Sequence, residues 1–98
     1  MRFESHRRKD RANRKKHGLS LKFAEELDWN RMMTRLEDWR GEERWFGLAP
    51  KDERLYAIAF TVREEFEDDA IVEVVRVISL RDATKAEETH YAQENRRR

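Results

Sequence analysis

The chain has 98 residues, 44% of them charged and 38% apolar, with a net charge of +1. That length holds one domain with one thin core, so the whole of residues 1–98 reads as a single unit and a multidomain machine is excluded. Three Trp, two Tyr, five Phe and an apolar run from Ile71 to Leu80 exclude a disordered tract, and the lack of cysteine excludes disulfides, thiolate catalysis and Cys-ligated zinc. No run is long and apolar enough for a membrane span, and the basic N-terminus has no apolar stretch of the secretory kind, which points to the cytoplasm.

Charge is divided along the chain. Residues 1–17 hold eight Lys/Arg against two acidic residues, residues 18–75 eight against fifteen, and residues 76–98 six against four. Basic ends around an acidic middle suit a surface with one positive side facing phosphates or an acidic partner.

In chain order, His6–Lys16 is compatible with a helix, with Asp10 and Arg14 spaced to pair at i, i+4, but it has almost no apolar face and needs docking to be stable. His17-Gly18 reads as its stop. Ser20 then caps a second helix whose stripe of Leu21, Phe23, Ala24 and Leu27 packs on a sheet. Met32, Thr34 and Leu36 alternate as a strand, Asp38–Glu43 with Gly41 reads as a turn, and Arg44–Ala49 forms a second strand ended by Pro50-Lys51-Asp52. Tyr56, Ile58, Phe60 and Val62 take one face of a central strand and Leu55, Ala57, Ala59, Thr61 and Arg63 the other. Glu64–Asp69 reads as a solvated connection longer than a tight hairpin needs. Ile71–Leu80 returns as a strand on which Arg76 and Leu80 share one face, Ser79 and Arg81 the other. Thr84 and Glu87 form a capping box that opens a closing helix, running through Tyr91 toward Arg96-Arg97-Arg98. The expected class is α+β: two N-terminal helices, an antiparallel sheet of three to four strands, and a C-terminal helix.

Several residues in this order resemble a known family. Asn13, Lys16-His17-Gly18-Leu19-Ser20, Phe23-Ala24, Gly41-Glu42-Glu43-Arg44, Gly47, Thr61-Val62-Arg63, Arg76-Val77-Ile78-Ser79-Leu80-Arg81, Ala83-Thr84, Glu87 and Tyr91 look like the BrnT toxins of bacterial type II toxin–antitoxin systems. The family's usual aromatic-Trp-Asp opening is here Phe3-Glu4-Ser5. The resemblance implies a RelE-like fold, an endoribonuclease that cuts mRNA without metal or cofactor and inhibits translation, and a BrnA-like ribbon-helix-helix antitoxin through which the complex reaches operator DNA.

Metal-free cleavage of RNA must activate a ribose 2′-OH, neutralise the phosphorane and protonate the leaving 5′-oxygen. Arginine serves the second task because its planar fork donates two parallel bonds to phosphate oxygens. The candidates are Arg44, Arg63, Arg76 and Arg81. For proton transfer the candidates are His17, Glu43 and Tyr91.

Each has a purely structural alternative. His17 can be a helix C-cap favoured by the dipole. Arg63 and Arg81 can be surface ion pairs at strand ends, Arg76 can be a buried pair on an apolar face, and Glu43-Arg44 can be a rim pair. Tyr91 packs its ring against the sheet whatever its hydroxyl does. The basic segment Arg7–Lys16 suits RNA or ribosomal backbone, or is a solvated face. Trp39, Trp45 and Phe46 suit either a partner surface or the core. His6, His90 and the carboxylates make no convincing metal set. The alternative to a nuclease is a non-catalytic interaction module, a co-repressor partner of a DNA-binding antitoxin; a third option is direct DNA binding through the N-terminal helix.

Overall fold

In a computed structural model, which describes residues 1–96, the chain forms a five-stranded mixed sheet with a helical layer on one face and a helix across one end of the other. The elements are β1 (Arg2–Ser5), α1 (Arg7–His17), two 3-10 turns (Leu21–Glu26 and Trp29–Arg31), β2 (Met33–Trp39), β3 (Glu42–Lys51), β4 (Arg54–Glu67), β5 (Ala70–Asp82) and α2 (Lys85–Arg96). The spatial order is β1-β5-β4-β3-β2, with β1 parallel to β5 and all other pairs antiparallel. Arg97 and Arg98, the end of the basic tail, lie outside the described residues.

The α+β class stands, with four corrections to what the residues alone suggest. First, the sheet has five strands and is mixed: Arg2–Ser5 adds a parallel edge that four residues of unremarkable composition do not announce. Secondly, the second N-terminal helix is a 3-10 turn. Its buried residues, Leu21, Ala24 and Leu27, recur every third position, which is the period of a 3-10 turn, so tertiary packing chose the tighter winding.

Thirdly, the acidic stretch Glu64–Asp69 is no loose connection. Strand β4 runs through Glu67 and pairs to the tip of β5, and only Asp68 and Asp69 turn, both left-handed at φ 49° and 63°. That is the geometry of a two-residue hairpin turn whose twist matches the strands. Arg40-Gly41 make the same kind of turn between β2 and β3, with the Asp38 carboxylate accepting from the Gly41 N–H at 2.9 Å.

Fourthly, Arg76 and Leu80 do not share a face. Ala59 pairs with Ser79 but Phe60 pairs with Val77, so Ile78 is an extra residue, a bulge that reverses the alternation. Leu80, Val77 and Val75 therefore point into the main core, while Arg81, Ser79 and Arg76 lie together on the opposite face.

The main core joins Ile58, Phe60, Val75, Val77 and Leu80 to Leu21, Ala24 and Leu27 of the first 3-10 turn. Trp29 and Phe3 close its end, their rings 5.3 Å apart. A second, smaller cluster of Leu48, Ala57 and Tyr91 holds α2 to the other face. The α2 N-terminus is capped as read: the Thr84 N–H donates to Glu87 and the Glu87 N–H to the Thr84 hydroxyl.

Helix α1, with scarcely any apolar face, docks through Asn13, the one buried polar residue among those described. Its amide donates to the carbonyls of Leu80 at 2.7 Å and Leu19 at 2.9 Å and accepts from the Leu80 N–H at 3.1 Å. Where β1 ends, Asn13 thus takes over as the hydrogen-bonding partner of the β5 edge. Asp10 adds a second tie, accepting from the Leu21 N–H and the Ser20 hydroxyl, contacts that with Arg14 hold its carboxyl below the usual range. Gly18, left-handed at φ 74°, ends the helix by donating to the Arg14 carbonyl.

Replacing Asn13 with Leu removes three hydrogen bonds and leaves the Leu80 amide groups buried without partners. The expected cost is about 2–4 kcal/mol, read as a lowered urea midpoint. Asn13→Asp is expected to be no rescue, because a carboxylate cannot donate to the two carbonyls; an unchanged midpoint in either variant would show that α1 is docked by something else.

Candidate active site

The strand registers and the β5 bulge gather the four candidate arginines on one face. Arg63 pairs across from Val74, Arg76 from Thr61 and Arg81 from Ala57, all facing away from the main core. Arg44 lies two residues before Phe46, which pairs with Ala59 on that same face. Continuing the β3–β4 register one step past Trp45–Phe60 brings Arg44 level with Thr61, so Arg44 and Arg76 flank Thr61 about 10 Å apart, two inter-strand spacings. Helix α2 covers only one end of this face. Between the arginines the floor consists of the small residues Ala59, Thr61 and Ser79, all half-buried.

The arginines differ in how far they are neutralised. Arg63 is held by two carboxylates: its fork meets Glu4, one of the two bonds being 2.8 Å, and its Nε donates to Glu65 at 2.9 Å. These contacts pull the Glu4 and Glu65 carboxyls below their ordinary range and push the guanidinium higher still. Arg2 extends the network to Glu65 and Glu67.

Arg81 makes a bidentate pair with Glu87 at 2.7 and 3.0 Å, and this hydrogen bonding, joined by the Thr84 N–H, lowers the Glu87 carboxyl to about 2. The capping residue of α2 is therefore also the counterion of β5.

Arg44 and Arg76 retain more of their charge for a ligand. Arg44 sits over the Trp39 ring, its guanidinium carbon 4.1 Å from the centroid, with only a 3.8 Å contact to Glu42; its Nε is buried without a hydrogen-bond partner. Arg76 is exposed and, among the described residues, has no ion pair; Glu4 feels its charge only at a distance.

The proton-transfer candidates are not brought into this group. Glu43 pairs with Asp38 on the opposite face. The Tyr91 hydroxyl donates to the Arg31 carbonyl at 2.7 Å, and its ring belongs to the small core cluster. His17 stands at the end of α1, in a 210 Å³ groove beside Lys16, Ile78 and Ser79 at the β5 edge.

Other residues on the arginine face were not signalled by the sequence as site residues. Arg35 stacks on the Phe46 ring at 4.6 Å and Arg81 approaches it at 6.0 Å. Beside them a 330 Å³ pocket is lined by Arg35, Phe46, Leu48, His90 and Glu94. The i, i+4 spacing of His90 and Glu94 was the one available signal. It said nothing of what their helix faces.

The chain matches, over residues 6–87, the family model described as "Ribonuclease toxin, BrnT, of type II toxin-antitoxin system". This chain belongs to the BrnT family. The match runs from the α1 cap to Glu87, so it includes His17, Glu43 and the four arginines, while β1 with Glu4 and most of α2 with His90 and Tyr91 lie outside it. No curated protein matches the chain. As a BrnT-family member it is a toxin of a type II system, with an antitoxin as its partner and ribonuclease as the activity its family name carries. Among the described residues no helix is long and apolar enough to cross a membrane.

The Arg81–Glu87 pair makes acid stability testable. A carboxyl lowered in the folded state stabilises above its ordinary value and loses that contribution as pH falls through its folded value. For Glu87 the window runs from 4.5 down to about 2. Glu87→Gln is expected to flatten the fall in thermal midpoint across that window relative to the parent; parallel curves would mean the pair contributes nothing.

Proposed function

We infer that this BrnT-family toxin is an endoribonuclease that cuts mRNA by metal-independent acid/base and electrostatic catalysis and so inhibits translation in the cytoplasm. The observation that carries the reading is the arginine face itself: four strand-borne guanidinium groups around a floor of Ala59, Thr61 and Ser79, shallow enough for a sugar-phosphate backbone to lie on the sheet. A phosphate between Arg44 and Arg76 meets two cations with little internal neutralisation, one of them braced on Trp39. Arg63 and Arg81, held in place by carboxylates, extend the positive track to neighbouring phosphates.

In the reaction, a base takes the 2′-OH proton, the oxygen attacks the adjacent phosphorus, and the arginines stabilise the charge that develops on the non-bridging oxygens. The leaving 5′-oxygen is then protonated, giving a 2′,3′-cyclic phosphate and a 5′-hydroxyl. The imidazole on this face is that of His90, next to Arg35 and Phe46, and we assign it the proton transfer in preference to His17. Tyr91 holds α2, and with it His90, over the sheet end. The fold is of the RelE-like kind. The partner is a BrnA-like ribbon-helix-helix antitoxin, and operator DNA is bound only through it.

Purified toxin is expected to cut a defined single-stranded RNA in EDTA, leaving cyclic-phosphate ends. Arg44→Ala and Arg76→Ala are each expected to lower kcat by about 100- to 1000-fold with an unchanged fold. They are cleaner probes than Arg81→Ala, which also strips Glu87 of its counterion. If the parent cuts no RNA even with ribosomes added, the chain is a non-catalytic antitoxin partner.

A second check separates the histidines and counts the phosphate contacts. His90→Ala is expected to slow cleavage and alter its pH profile, while His17→Ala leaves both unchanged; the reverse result would return the role to His17. RNA affinity is expected to fall with log salt at a slope on the order of −3, the value for four arginines on a single strand.

A further inference from the structure

The face opposite the arginines is only partly covered by the helical layer. Beyond Trp29 it opens into a 300 Å³ groove lined by Met1, Trp29, Trp45, Phe60, Val62 and Val75. Six large apolar side chains are exposed among the described residues, and five fall on this face: Met1, Leu36, Val62, Phe66 and Ile71, the last two at 80% and 60%. Phe66 and Ile71 are direct cross-strand partners near the tip of the β4–β5 hairpin, and Leu36 is the partner of Trp45. They form two apolar patches on one face, the groove with Leu36 at its rim and the Phe66–Ile71 pair at the hairpin tip, separated by a single cross-strand row.

The same face is acidic. Glu64 lies directly opposite Glu73, and Asp38 opposite Glu43. Like charges facing each other across strands destabilise a sheet. Among the described residues neither pair has a basic side-chain partner, although on the other face Glu4, Glu65 and Glu87 all do. The free toxin therefore leaves two carboxylate pairs without a cationic partner among the described residues, bordering an apolar groove.

We propose that this face is the docking surface for the antitoxin, which lays on it an amphipathic segment whose apolar side chains fill the groove between Trp45 and Val75 and whose Lys or Arg side chains meet Glu64, Glu73, Asp38 and Glu43. The proposal rests on the antitoxin partner that family membership supplies, not on the ribonuclease chemistry. The carboxylates repel RNA and anionic lipid. A second copy of this chain is a poor occupant as well: its most basic segment, α1, has Ala12 as its single apolar residue and offers nothing to fill the groove. Docking here also leaves the arginine face and the antitoxin surface on opposite sides of one sheet.

The test uses the antitoxin encoded together with this toxin, titrated onto purified toxin variants. Glu64→Lys combined with Glu73→Lys, and separately Phe66→Asp combined with Ile71→Asp, are each expected to weaken binding at least 100-fold. Both should leave RNA cleavage by the free toxin unchanged, since all four side chains are solvent-facing at the hairpin; the urea midpoint should hold in the Lys variant and fall slightly in the Asp variant, whose new like charges face each other across strands. Arg44→Ala with Arg76→Ala is expected to bind antitoxin as the parent does. Radical footprinting of the parent complex is expected to protect Trp45 and Met32, which also lines the groove, and this keeps the proposal testable if a variant folds poorly. Parent-like binding by both hairpin variants overturns it, as does loss of binding only in the arginine variant, or a toxin dimer in sedimentation that the Phe66/Ile71 variant abolishes. A parent that binds antitoxin on this face but cuts no RNA upholds the docking surface and removes the nuclease reading.

Discussion

The fold turns on the amide of Asn13. A helix with ten charged and polar residues to one apolar alanine cannot bury itself by the hydrophobic effect, and in isolation eleven residues of this kind would not hold a helical form. Asn13 resolves this by acting as a piece of β-strand: it gives and takes the two hydrogen bonds that a neighbouring strand would exchange with Leu80. A third bond, to Leu19, fixes the chain reversal after Gly18. Helix α1, the chain reversal and the β5 edge are tied together by that anchoring. Such an arrangement is costly to break because its partners are backbone groups buried away from water.

The sheet that Asn13 completes is divided by chemistry into two faces. One holds arginines whose charges are in part balanced by carboxylates from β1, β4 and α2, and the other holds apolar side chains and carboxylates without cations. The balancing pairs are half-exposed, so their net stabilisation is small. Their structural consequence is larger: they hold Arg63 and Arg81 at fixed geometry without removing the positive potential of Arg44 and Arg76. On the proposed reading, a nucleic acid and a basic protein segment meet opposite sides of one five-stranded sheet.

The bulge at Ile78 makes this division possible. Without the extra residue Arg76 would project into the main core beside Leu80, where an unpaired guanidinium is strongly unfavourable. With it, a strand buried on one face along Val75, Val77 and Leu80 carries Arg76, Ser79 and Arg81 on the other. One inserted residue thus moves the one awkward charge, Arg76, onto the face that already carries Arg81.

Local signals in the sequence determined much of the scaffold. The Gly18 stop, the Ser20 cap, the Thr84–Glu87 capping box, the two-sided apolar pattern of β4 and the i, i+4 pair of Asp10 and Arg14 are interactions within a few residues, and each stands in the structure as the chain alone implies. The residue types a phosphate site needs were equally plain. What only the tertiary structure decided depends on pairing between distant segments: that Arg2–Ser5 finds the β5 edge, that Leu21–Glu26 winds as a 3-10 turn, and that acidic Glu64–Glu67 continues as strand. The same pairing placed the arginines together and set Glu43 on the far side from them. A period of two fixes which residues alternate, but a single bulge inverts that parity for the rest of a strand. No local pattern around Ile78 distinguishes the bulged strand from the regular one, because what fixes it is distant in sequence: the Leu80 side chain is buried with Leu21, Ala24 and Leu27, and its backbone bonds to Asn13, 67 residues away.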